Sequence, residues 1–130
     1  MAERTAVQMT IMNFRSVLRL QMAHYIISGQ EAELPKLVGA NPARWMEPPP
    51  GYLGEFNGLK DGDMKPGAWY FDGDQRELVY SPHLDSGLDQ PSSGRRTLRW
   101  RIQGGTSTGM VRGINLVATE QISWFGTPLR

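Results

Sequence analysis

The 130-residue chain has no cysteine, which rules out disulfides, thiolate metal ligands and a cysteine nucleophile. That absence fits a reducing compartment and equally an exported protein that dispenses with disulfides, so it does not fix location. No run approaches the ~18 apolar residues of a membrane-spanning helix. The opening "MAERTAVQMT" also lacks the basic start and apolar run of a signal peptide. Neither sign of charge is in excess: 14 Lys and Arg stand against 13 Asp and Glu. Nucleic acid and anionic membranes are therefore not indicated as partners. The one basic cluster, "SGRRTLRWRIQ", lies in an alternating stretch, where a solvated strand face is the plain expectation.

Histidine is scarce, and catalytic machinery is scarce with it. His24 and His83 are the only two, and neither has a second histidine or a carboxylate at ligand spacing. His24 reads as a surface or packed helix residue rather than a base. Ser92, Ser93 and Ser107 lie in polar runs without a glycine-flanked elbow. "GGTSTG" has the composition of a flexible hairpin loop and lacks the lysine and following helix of a phosphate loop. "DGDMKPG" and "FDGDQRE" each hold an Asp-x-Asp, but without the further spaced carboxylates of a calcium loop. Turn formation by Asp and Gly accounts for both. No enzyme is expected.

What is present is a helix followed by strands. From Glu3 to Ser28 there is neither proline nor glycine, and Gly29 is a natural residue just past the end. Val7, Ile11, Phe14, Leu18 and Tyr25 recur at helical spacing, and Val17, Met22 and Ile26 widen that line into a stripe. "EAELPKLVGANPARW" predicts one or two short helical turns, interrupted by Pro35. "WMEPPPGYLGEFNGLKDGDMKPG" is too rich in Pro and Gly for a regular helix or a central strand. Trp45, Tyr52, Leu53 and Phe56 are too large for a free linker there, so a packed loop is expected. "AWYFD" (68–72) and "ELVYS" (77–81) form a hairpin about "GDQR". "TLRWRIQ" (97–103) places Leu98, Trp100 and Ile102 on one face and Arg99 and Arg101 on the other. "INLVAT" and "QISWF" continue the strands.

The layout predicts a single α+β domain, a long N-terminal helix packed on a roughly four-stranded antiparallel sheet. Its parts are a helix over 1–29, a helix-to-sheet loop region over 30–66 and the sheet over 67–125. Such a sheet covers the C-terminal half of the stripe and leaves the N-terminal half bare.

That layout resembles the type IV pilin and type II secretion pseudopilin family. Four stretches carry the resemblance: "NFRSVLRLQMAHYIISGQEAELPKLVGANPARWM", "PPPGYLGEF", "PGAWYFDGDQRELVY" and "INLVATEQISWF". Members begin with a basic leader cut by a prepilin peptidase, then a hydrophobic helix of about one bilayer thickness. Neither is in this sequence, so the resemblance implies a chain that starts part-way along the spine helix. It implies the pilin-like fold and a structural subunit, a minor pilin or pseudopilin, of a type IV pilus or type II secretion pseudopilus. The mannose-sensitive haemagglutinin type of pilus is included.

The full-length protein would be a single-pass inner-membrane protein with a periplasmic domain. Its partners would be other pilin or pseudopilin subunits and the inner-membrane assembly platform, with the prepilin peptidase acting on the precursor. The expected assembly interface is Val7, Ile11 and Phe14 on the bare stripe, with Trp45 and Tyr52 in the loop; Trp69, Phe71, Leu78 and Tyr80 are expected to pack internally. No cofactor is expected; some relatives bind calcium in the loop after the first sheet strands, where Asp85 and Asp89 stand here. A different reading stays open: a small carbohydrate- or peptide-binding module with Trp100 or Trp124 as a stacking platform.

Overall fold

The computed structural model describes residues 2–83, 97–107, 110–119, 122–124 and 127–129. Helix-favouring residues without a breaker form α1, Ala2–Ile27. Its stop is a left-handed glycine: Gly29 has φ 75, and Gln30 N–H donates to Tyr25 O at 2.7 Å across the turn. Two 3-10 turns follow, η1 (Glu31–Leu37) with Pro35 inside it, and η2 (Pro42–Trp45). Proline removes a backbone donor at Pro35, which keeps η1 from becoming an α-helix. Asn41 caps η2 by accepting from Ala43 N–H at 3.0 Å, with Pro42 at the first position.

Five strands form one sheet in the order β1-β2-β3-β4-β5. They are β1 (Tyr52–Phe56), β2 (Ala68–Asp72), β3 (Glu77–Ser81), β4 (Leu98–Ser107) and β5 (Met110–Ala118). The β2–β3 hairpin and its four-residue turn fall where the sequence predicts them, in the register Trp69 opposite Tyr80. A short two-stranded ladder, β6 (Ile122–Trp124) with β7 (Thr127–Leu129), stands apart from this sheet. The α+β class holds, but the sheet is five-stranded and mixed rather than four-stranded and antiparallel. The extra strand is β1, which lies in the Pro/Gly-rich segment and pairs parallel to β2 with a register shift after Tyr52. It is an edge strand, where glycine and irregular pairing are tolerated. The sequence 104–107 extends β4 rather than forming a loop.

The main core lies between α1 and the sheet. Val7, Ile11, Phe14 and Leu18 pack with Trp69, Leu78, Tyr80, Leu98, Trp100, Ile102 and Leu116. Phe14 meets Trp69 edge-on, with ring centroids 5.8 Å apart. Here an expectation is corrected. Val7, Ile11 and Phe14 are only 1%, 1% and 0% exposed, so the N-terminal half of the stripe is not bare. The Glu3 carboxylate explains how the helix start is held down. It accepts from the Tyr80 hydroxyl on β3 and from His83 N–H at 3.1 Å, and His83 Nδ1 stands 2.9 Å away. Further along, Arg15 Nε donates to Leu116 O at 3.1 Å, tying the helix to edge strand β5. These two anchors are 80 and 101 residues distant in sequence from their partners, beyond the reach of any local pattern.

The opposite face of the sheet is also covered. Met64, Ala68, Tyr70 and Val79 form a second cluster, with Leu59 against it. Arg99 on that face is 6% exposed, which corrects the expectation of a solvated face. It donates to Asp72 at 3.0 Å and Glu77 at 3.1 Å, so three charged groups are buried together. Burial opposes the Arg99 charge, but the hydrogen bonds from both carboxylates outweigh it and the pKa rises. Trp69, Phe71, Leu78 and Tyr80 are all buried, as expected of packing residues.

Candidate functional site

Among the described residues, two surfaces stand out once the packing is accounted for. The first is the outward side of α1. Two residues along a helix is a turn of about 200°, so the residues two beyond positions packed on the core face away from the sheet. Those are Met9 after Val7, Leu20 after Leu18 and Ile27 after the half-buried Tyr25, with Met12 beside them. They are 60%, 68%, 86% and 62% exposed respectively. Thr5, Ala6, Asn13, Ser16, Ala23 and His24 also lie on that side, and from Thr5 to Phe14 the helix carries no charged residue. Arg15 lies half-buried between the two faces, whereas Arg19 is exposed close to Met12 and donates to Ser16 Oγ at 3.5 Å. The helix is therefore weakly polar outside as well as apolar inside.

The second surface is a cleft of about 380 Å³ between the η1–η2 segment and the β2–β3 turn. Its construction follows from the "NPARW" stretch. Asn41 is buried, capping η2 with its oxygen while its amide donates to Tyr52 Oη at 2.9 Å and Glu55 Oε2 at 2.8 Å. Arg44 meets the same carboxylate in a fork, Nε to Oε2 at 2.6 Å and Nη2 to Oε1 at 2.7 Å. The hydrogen bonds from Arg44 and then Asn41 hold the Glu55 carboxyl below the usual range. Burial pushes the Tyr52 hydroxyl up, against the hydrogen bond from Asn41. Trp45, half-buried, packs against the main core and forms part of the cleft wall with Tyr25.

Of the residues expected at an interface, the structure brings Trp45 to the cleft and places Tyr52 behind it, and buries Val7, Ile11 and Phe14 elsewhere. Asp85, Asp89 and the side chain of Trp124 lie outside the described residues. Among the described residues no group of three His, Asp or Glu side chains is placed to hold a metal ion. Trp100 is fully buried and offers no stacking platform. His24 is exposed on α1. Local reading missed Glu55 and Arg76 in the cleft; the only signal was Arg76 ending a tight turn where glycine or asparagine is usual. Among the described residues no helix is long and apolar enough to cross a membrane. No family model, no curated protein and no solved structure matches the chain.

Proposed function

We propose that the chain is the head of a pilin-like or pseudopilin-like structural subunit, acting through packing of α1 against helices of neighbouring subunits. The observation that carries this reading is the outward side of α1. A helix that is apolar on its sheet side and, from Thr5 to Phe14, uncharged on the other is suited to be covered on both. Burying Met9, Met12, Leu20 and Ile27 between subunits would contribute up to about 1.5 to 3 kcal/mol each. The interface is thus moved by half a turn from the Val7, Ile11, Phe14 stripe, which the chain's own sheet occupies. The resemblance in the "NPARW", "PPPGYLGEF" and "PGAWYFDGDQRELVY" stretches supports the same reading. On this reading the domain would work in the periplasm, among other subunits of the same kind.

These 130 residues contain no cysteine, so a thiol introduced on α1 has no competitor within them. Met12→Cys and Leu20→Cys in the full-length protein should give a ladder of cross-linked oligomers in cells with a thiol-reactive linker. Met12→Glu should abolish that ladder at an unchanged protein level. Monomer alone from both cysteine variants, or assembly that survives Met12→Glu and Leu20→Glu, would overturn the reading.

A further inference from the structure

We infer that the cleft between η1–η2 and the β2–β3 turn is a receptor for a single carboxylate carried on an apolar, planar body. The inference stands apart from the filament reading, and failure of either leaves the other in place.

The charge balance of the cleft points to an anion. Lys36, Arg44 and Arg76 line it against the single carboxylate of Glu55. Arg44 is held by Glu55 in a two-point fork, and Lys36 is paired with Glu33. Arg76 has no hydrogen-bond or ion-pair partner among the described residues, and only its field reaches Glu55. Among the described residues one guanidinium, exposed to solvent, therefore stands unpaired at the wall of the cleft.

The backbone makes the same point independently. Arg76 has φ 57, the only positive φ of a non-glycine residue among the described residues. A left-handed conformation costs a side-chain-bearing residue roughly 1–2 kcal/mol that glycine avoids. An arginine kept in such a position marks a place where its side chain is needed. Its stem runs along Gly39, where an added Cβ would sit 3.6 Å from Arg76 Cβ. The guanidinium stem is thereby held against the chain that leads into Asn41 and Arg44.

The rest of the cleft sets the ligand. Its volume lies within the few-hundred-Å³ range of small-molecule sites. Tyr25 and Trp45, both half-buried, supply aromatic surface for a flat or apolar body. The guanidinium fork matches a planar carboxylate and binds it through two parallel hydrogen bonds. A phosphate dianion fits less well, because Glu55, kept ionised by Arg44 and Asn41, repels a second negative charge. The backbone N–H groups of Gly39 and Ala40 donate to Ile102 O and Leu37 O, so the side chains do the recognising.

Such a carboxylate belongs either to a free small acid or to the terminus of a peptide, and the two are separable. The probes are indole-3-acetate with its amide, and a four-residue peptide ending in phenylalanine as free acid and as amide. Titration followed by NMR should show the Trp45 indole resonance moving with a Kd below about 1 mM for at least one acid. The matching amide should bind about tenfold more weakly or worse, a difference of ~1.4 kcal/mol. Arg76→Gln should cost the acid a similar factor and leave the amide unaffected. Tighter binding of the peptide acid assigns the site to a chain terminus, and tighter binding of indole-3-acetate assigns it to a free acid. Equal affinity for acid and amide, an unchanged affinity in Arg76→Gln, or no saturation by either acid on the order of 10 mM overturns the inference.

Discussion

The two sides of α1 carry similar side chains and have opposite fates. Val7, Ile11, Phe14 and Leu18 are sealed against the sheet, whereas Met9, Met12, Leu20 and Ile27 face outward. Apolarity alone therefore does not say which side of a helix a fold will cover. The covered side is the one with Val7, Ile11, Phe14 and Leu18 at unbroken four- and three-residue intervals. Those stiff side chains interlock with Trp69, Trp100 and Leu116. The outward side is dominated by flexible Met and small residues, which suit a surface that must accept more than one arrangement.

The largest effect should come from the covered side. Phe14→Ala removes a fully buried ring and should cost about 3–5 kcal/mol in urea unfolding. A loss below about 1 kcal/mol would mean that the sheet does not hold that stripe. Arg99→Met should cost a comparable amount, because Asp72 would lose its buried cation and Glu77 would keep only Arg101 at 3.5 Å. The triple variant Arg99→Met, Asp72→Asn, Glu77→Gln should recover much of it. If it recovers nothing, packing rather than charge is what Arg99 provides.

Smaller effects sharpen the contrast between stability and surface function. Arg76→Gly should raise stability by about 1 kcal/mol through relief of the left-handed backbone, while abolishing carboxylate binding in the cleft. Stabilisation together with intact binding would remove the reason offered for that residue. The Glu55 carboxyl has a folded pKa below its unfolded value, so its contribution is present above the unfolded pKa and is lost as pH falls through the folded one. Its side chain is about a third exposed, so solvent screening limits the effect to roughly 0.2–1 kcal/mol. Glu55→Gln should flatten that part of the acid limb of a stability–pH curve. The smallest change belongs to the outward side: Met9→Glu or Leu20→Glu should alter unfolding free energy by no more than about 0.5 kcal/mol. A loss of several kcal/mol in either would place those residues inside the fold.

Legibility followed the range of the interactions. The extent of α1, its stop at Gly29, and the β2–β3 hairpin with its turn all rest on residues within a few positions of one another. Periodicity and turn chemistry report such relations directly. Strand β1 was hidden because its pairing with β2 crosses the irregular segment that contains η3 (Asp61–Asp63), and because Gly54 and the register shift break its alternation. Arg99 looked solvated because its alternation is that of an outward face, while its carboxylate partners sit on other strands, 22 and 27 residues away. The cleft was half visible: "NPARW" announced a capped turn, but nothing local could bring Glu55 and Arg76 to it.

The residue order by itself determined the helix, its end, the central hairpin and the α+β class, since each depends on backbone preferences and side-chain periods that act over one or two turns. Tertiary structure alone decided which side of the helix is covered, how many strands make the sheet, and that Arg99 is buried while Arg76 lines a cleft with no partner among the described residues. Those outcomes depend on whether groups tens of residues apart meet. Glu3 at Tyr80 and His83, and Arg15 at Leu116, are the contacts that settle it here.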